Sequence, residues 1–332
     1  MNRRTIYSFL LLFLLASLFA ILFSGCTNEE SPQTSASAPI TYQVNMKWQE
    51  SRPQPYTLSD IWGSSSTDIF AVGENGTILH FDGTKWEQMD FKINIVLNGI
   101  WGFSPTDVYA AGDFGTVAHY DGSQWTIVHG NSSGSFYDIW GSSPSDIFTV
   151  GDNGIILHYN GTTWNDMASG TSEPIYAVWG SSPSDVFTAG SKGLILHYDG
   201  RSWEKCYSGG TGLSLYSLWG TSSSDIFAVG GYWTPDSHYI GAILHSDGGE
   251  WQTVVADTGY ALFDIWGSSS TDVYALGLYG YITHFSGTEW KSIRLAQFDS
   301  GLSAIWGSSP TDIFAVGKNG ITLHYNGTGT TE

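Results

Sequence analysis

Histidine and aspartate are the residues most able to do chemistry here, and they recur together. Seven of the nine histidines hold one place in a repeated phrase: His80, His119, His158, His197, His245, His284 and His324. Seven aspartates hold another: Asp68, Asp107, Asp146, Asp185, Asp225, Asp272 and Asp312. An Asp–His pair suits general-base or metal chemistry. A reaction site, however, occurs once and breaks a protein's symmetry. A pair written seven times, with Ser or Thr nearby, reads instead as a local hydrogen-bond network fixing each hairpin. The one segment that departs from the phrase runs from Gly231 to Ile240. Its Tyr232, Trp233 and Tyr239 flank Pro235-Asp236 and suit stacking on a sugar ring or covering a peptide, or packing on one another as a surface loop. Asp236 and His238 are potential metal ligands without a third partner, so no metal is expected.

The elements that must position these residues follow from the repeat. Trp-Gly occurs at Trp62, Trp101, Trp140, Trp179, Trp219, Trp266 and Trp306, at spacings of 39, 39, 39, 40, 47 and 40. Each unit reads as four short strands, in the first unit Leu58 to Trp62, Asp68 to Val72, Thr77 to Phe81 and Trp86 to Met89. β-Branched and aromatic residues fill these runs, and Gly, Ser, Pro, Asp and Asn separate them. Asp82-Gly83, Asn160-Gly161 and Asn326-Gly327 suit tight hairpin turns. Seven four-stranded antiparallel units of about 40 residues predict an all-β, seven-bladed β-propeller.

The last unit stops before a fourth strand, and the missing strand stands at the other end. Asn45 to Glu50 resembles Thr84 to Met89, so Trp48 should open the outer strand of the last blade and close the ring. Closure also removes two sheet edges. It places each Trp-Gly strand innermost and each second Trp outermost. Fourteen of the 15 Trp then have architectural places, and Trp233 is the one left over.

Antiparallel connectivity sorts the loops onto two faces. First-to-second and third-to-fourth turns repeat the same residues around the ring. Second-to-third turns and interblade links vary: Glu74-Asn75, Asp113-Phe114, Asp152-Asn153, Ser191-Lys192, Leu278-Tyr279 and Lys318-Asn319. The irregular face is where a ligand site is expected, with Tyr232, Trp233, Asp236, His238, Tyr239, Phe114 and Tyr279 as ligand-binding candidates. Phe91, Phe136, Tyr207, Tyr260 and Phe298 are further aromatics assigned to it. Asp60, Asp138 and Asp264 lie on inner strands of blades 1, 3 and 6 and approach the central channel. A paired-carboxylate mechanism needs about 5–9.5 Å between its groups.

Charge and composition narrow the partners. Twelve Lys+Arg against 31 Asp+Glu argue against nucleic acid and against electrostatic docking on an anionic membrane. Two cysteines support neither a disulfide framework nor a Cys-rich zinc site. Cys206 falls on an outer strand as a small packing residue. No phosphate or nucleotide motif is present, and no cofactor is expected. Arg52, Arg201 and Arg294, the arginines beyond the N-terminal segment, fall on opposite faces, which disfavours a sialidase-like carboxylate clamp.

The N-terminus reads as an address and a tether. Arg3 and Arg4 precede an almost wholly apolar run from Ile6 to Phe23, then Ser24-Gly25-Cys26. Small residues before a Cys resemble the lipobox of bacterial lipoproteins, which implies lipidation of Cys26 and cleavage before it. Phe23 stands where that family usually has Leu, and an uncleaved signal anchor is the alternative. Residues 27–40 lack large apolar side chains, apart from a terminal Ile40, and read as a flexible tether reaching roughly 20 Å. The expected organisation is therefore 1–26 signal, 27–40 tether and 41–332 propeller, outside the cytoplasm and held to a membrane by lipid.

Residues 41–327, through the pattern IWGSSPSDIFxVGxxGxILHYDGTxW, resemble extracytoplasmic propellers of the broad YVTN, Asp-box and photosystem-II-assembly-factor-like group. The Asp-box runs Ser-x-Asp-x-Gly-x-Thr-Trp, whereas Asn160 and Gly161 are adjacent here. The resemblance thus implies fold rather than Asp-box enzyme activity. The expected function is a monomeric, non-enzymatic binding or scaffold protein for a protein or polysaccharide. The alternatives are a glycan-active hydrolase or lyase, and an assembly factor for a membrane complex.

Overall fold

A computed structural model describes residues 46–130, 133–234, 239–255, 258–295 and 301–327. Cys26, the signal segment and the tether lie outside the described residues, as do Asp236, His238 and Phe298. The described chain forms seven four-stranded antiparallel sheets, each using consecutive strands except the last. In that blade, Trp48–Ser51 pairs antiparallel with Thr322–Tyr325, with Trp48 opposite Tyr325. The chain termini therefore close the ring as the displaced strand predicts. Inner strands are longer than the repeat suggests, running through Trp-Gly to the following serines, as in Leu58–Ser65.

The core is distributed over seven seams. One hydrophobic cluster fills each junction between neighbouring blades, including blade 7 against blade 1, where Ala304, Phe314 and Val316 meet Leu58, Ile61 and Ile69. The Trp-Gly dipeptide is explained at these seams. The indole of one blade lies over the glycine of the next. A Cβ on Gly63, Gly102, Gly180, Gly220, Gly267 or Gly307 would stand 2.5–3.0 Å from the preceding blade's Trp ring. Glycine is needed there for close approach rather than for an unusual φ. The blade 2–3 seam differs: at Gly141 the nearest atom is Cζ of Phe103, 2.6 Å away, not Trp101.

The Asp–His pairs are structural in every blade. His80 Nε2 lies 2.7 Å from Asp68 Oδ1, and the other six pairs lie at 2.7–2.8 Å. Each imidazole stacks on the aromatic residue opposite it on the second strand, from 4.5 Å for Phe70–His80 to 3.9 Å for Phe314–His324. In six blades a hydroxyl donates to the same carboxylate, Ser142 to Asp146 at 2.6 Å for example. Blade 2 has Phe103 at that position and lacks the hydroxyl.

Candidate functional site

A bulge in every inner strand builds the channel mouth. Pairing with the second strand skips two residues per blade, one just after the Trp-Gly dipeptide and one three before the Trp; the latter are Ser59, Asn98, Tyr137, Tyr176, Tyr216, Phe263 and Ser303. A bulged residue has no cross-strand partner, and its side chain is re-aimed away from the sheet. Four consecutive blades put an aromatic ring there, and the other three put a small polar group. The rings form one arc, with centroids 5.4 Å apart for Tyr137–Tyr176, 5.3 Å for Tyr176–Tyr216 and 5.8 Å for Tyr216–Phe263. All four are half-buried.

The turns of the irregular face hold these rings upright. Tyr137 Oη donates to Asp152 Oδ1 at 2.5 Å, and Tyr176 Oη pairs with Ser191 Oγ at 2.9 Å. Tyr216 Oη meets Tyr239 Oη at 2.8 Å. Burial first, then the bond to Asp152, pushes the Tyr137 phenol well above its ordinary value, so it stays a donor. At the Phe263 blade the equivalent turn residue is Leu278, which offers no polar partner.

The described ends of the Gly231 to Ile240 segment, Gly231 to Trp233 and Tyr239 to Ile240, extend the second and third strands of blade 5. Asp225–Trp233 and Tyr239–Ser246 continue their ladder until Trp233 faces Tyr239, and the inner strand lengthens to Leu213–Ser222 beside them. Tyr239 therefore joins the arc through Tyr216, and Trp233 packs edge-on against Tyr239 with centroids 5.0 Å apart. Trp233 remains 66% exposed. Tyr232 faces inward, half-buried against the blade 4–5 seam. Phe114 and Tyr279 cap turns in blades 2 and 6, 61% and 55% exposed.

Phe114 and Tyr279 also carry backbone strain. Six second-to-third turns place a non-glycine residue in the left-handed region, at φ 56–60°. Three are asparagines, Asn75, Asn153 and Asn319, which tolerate that conformation. Bulky side chains there are outliers, and strain of this kind concentrates at functional sites.

Of the further aromatics assigned to this face, Phe136 and Tyr260 are buried in the structure. Tyr260 stacks on Tyr281 at 3.6 Å. Phe91 packs on Trp125, and Tyr207 packs at the blade 4–5 seam. Tyr137, Tyr176, Tyr216 and Phe263 are the ring-forming residues that sequence reasoning passed over.

One residue deeper stand Asp60, Asp138 and Asp264, each clamping two backbones. Asp60 accepts from Ile61 N–H at 2.8 Å and from Ile100 N–H of the next blade at 2.7 Å. Asp138 does the same with Ile139 and Val178, and Asp264 with Ile265 and Ile305. Ser217 also donates to Asp264, at 2.7 Å. Burial pushes the Asp138 carboxyl up to about 7 and Asp264 to about 6. Burial also holds Asp60 well above the carboxylate range, and the charges of Asp264 and Asp138 add to it. The three groups thus sense one another across the channel. Among the described residues no three His, Cys, Asp or Glu side chains are grouped to hold a metal ion.

The regular face is self-satisfied. Asp82 Oδ1 accepts from Thr84 N–H, Thr84 Oγ1 and Lys85 N–H at 2.6–2.9 Å, and the bond from Thr84 Oγ1 leads in lowering its carboxyl to about 2. Asp121 repeats the arrangement with Ser123 and Gln124.

No family model and no curated protein matches the chain. Solved propellers do resemble it. YCF48 bound to a D1 peptide superposes with a TM-score of 0.68 at 19% identity, covering 89% of this chain and 99% of that one. YCF48 from Cyanidioschyzon merolae gives 0.66 at 17%, covering 84% and 98%. The WD40 β-propeller domain of Doa1 gives 0.66 at 13%, covering 86% and 97%. At these identities the likeness is one of fold.

Proposed function

We propose that this propeller is a binding module that takes a protein partner, as an extended segment, across the irregular mouth of its channel. The observation that carries the reading is the run of four bulged rings on consecutive blades, joined at its centre by Tyr239. A ring architecture needs large side chains at its seams, but it does not need them at the bulge. Three blades manage with Ser59, Asn98 and Ser303. Clustered aromatics beside exposed Trp233 have the composition of a recognition surface. Support at the level of fold comes from the YCF48 structure, which holds a D1 peptide. The N-terminal pattern ending at Cys26 supports a lipid-tethered location outside the cytoplasm.

A displayed library of random dodecapeptides sorted on the purified propeller tests the reading. The same sort is run on a variant carrying Phe114→Asn, Tyr176→Ser, Trp233→Ser and Tyr279→Asn. Sequences enriched by the native protein and not by the variant are expected. Equal enrichment by both refutes the site. Failure to enrich any peptide, with retention on a glycan array, replaces the peptide with a polysaccharide. Radiolabelled palmitate incorporation, abolished by Cys26→Ala, is the expected result for the lipid tether.

A further inference from the structure

We infer that the aromatic arc is built to receive an arginine side chain of the bound segment, stacked on the rings with its guanidinium directed at the deeper carboxylates. The inference rests on the peptide-binding reading and adds the chemistry of recognition.

Two features at the mouth coincide. The first is the crescent Tyr137–Tyr176–Tyr216–Phe263, whose rings lie side by side with interplanar angles of 41–60°. Their faces carry the negative part of the ring quadrupole, which attracts a cation. The second is a carboxyl group at both ends of that crescent. Asp138 follows Tyr137 directly, Asp264 follows Phe263, and Asp60 stands across the channel. Burial raises all three carboxyl groups, carboxylate repulsion adds to it for Asp60 and Asp138, and no basic side chain offsets it at any of them. Among the described residues, the cations of this face's second-to-third turns are Lys192, ion-paired with Glu173 at 2.6 Å, and Lys318; the interblade links add Arg52, paired with Glu50, Lys92, beside Asp90, and Arg294, over the Tyr281 ring.

The shape selects among cations. A quaternary ammonium offers no N–H to the carboxylates beneath the rings. A lysine ammonium is a compact point charge, strongly hydrated, with no flat face to lay on an open crescent. A guanidinium is planar, stacks on aromatic faces and presents several donors at one edge. The hydrogen bonds on the phenols already point outward to Asp152, Ser191 and Tyr239, which leaves the ring faces as the available surface.

The test uses Gly/Ser-flanked nonapeptide pools that differ only in the central residue, with citrulline as an uncharged isostere of arginine. Retention is read on the native propeller, on Tyr176→Phe and on Tyr176→Ser. The expected result is retention of the arginine pool at least about tenfold above citrulline, kept by Tyr176→Phe and lost in Tyr176→Ser. Competition by arginine amide, but not by citrulline amide, on the native protein gives the same answer if Tyr176→Ser folds poorly. Equal retention of arginine and citrulline, or a pool led by acidic or aromatic residues, overturns the inference and leaves peptide binding standing. Retention of no pool by the native protein overturns both.

Discussion

Replacing Phe114 by Asn separates a residue kept for binding from one kept for stability. Phe114 sits at φ 57° and is 61% exposed. The left-handed conformation costs an ordinary residue about 1–2 kcal/mol, and Asn adopts it readily. Asn75, Asn153 and Asn319 show that the same turn accepts Asn at φ 56–58°. Against that relief stands the lost cover of a ring that is mostly in solvent. Full burial of Phe is worth about 1.5–3 kcal/mol, so the covered fraction contributes about 1 kcal/mol. The net change is a gain of about 0–1 kcal/mol, or a melting temperature unchanged or raised by up to about 4 °C. A Phe packed for stability would instead cost about 3–5 kcal/mol on truncation. Thermal and urea unfolding of Phe114→Asn decide between them. A loss above about 2 kcal/mol refutes the claim that this strain is held for a ligand. The account also requires that the more stable variant bind library-selected peptides more weakly.

Three further outcomes follow from the packing and the channel. Gly102→Ala places a methyl group 2.6 Å from the Trp62 indole. It should cost about 1–3 kcal/mol in urea unfolding, and an unchanged midpoint would contradict the role given to the Trp-Gly pair. Trp48→Ala should cost about 3–5 kcal/mol and expose the blade 7 edge, since Trp48 is buried against Tyr325; an unchanged melting temperature removes ring closure as a source of stability. The channel carboxyls give a pH dependence. Asp138 and Asp264 titrate near 7 and 6 when folded and near 4 when unfolded, so the folded state binds more protons between those values. Their favourable contribution is complete below about pH 4 and is lost as pH rises through about 6–7. Unfolding midpoints should fall from pH 5 to pH 8, and Asp138→Asn should flatten the upper part of that fall. A midpoint that rises with pH over this range contradicts the burial of these groups.

The architecture was legible because a sevenfold phrase leaves little freedom. The spacing of Trp-Gly sets the blade count, and Trp48 without a unit of its own supplies the closing strand. The Asp–His network followed from the same recurrence. The mouth was harder for a definite reason. Residues such as Phe136, Tyr137 and Asp138 read as one uninterrupted strand, and alternation from the Trp assigns their sides. The bulge shifts that alternation by one, so Phe136 turns into the core and Tyr137 turns out of the sheet. Reading the column three before each Trp, which runs Ser, Asn, Tyr, Tyr, Tyr, Phe, Ser, would have shown the asymmetry. In blade 5, Pro235-Asp236 signals a turn, and the sequence around it carries no strand alternation that marks where the pairing stops. The ladder pairs Tyr232 with Ile240 and Trp233 with Tyr239, so the described ends of that segment are strand. Strain at Phe114 and Tyr279 was hidden because a left-handed φ leaves no mark on a bulky residue. Only the asparagines in the equivalent turns hint at it.

Photocrosslinking of a library-selected peptide tests the central claim most directly. p-Benzoylphenylalanine is placed at Phe114 or Tyr279 on the irregular face, and at Ser123 or Thr162 on the regular face, all exposed positions. The account predicts adducts from Phe114 and Tyr279 and none from Ser123 or Thr162. Adducts from the regular face, or equal yields from both, would contradict it.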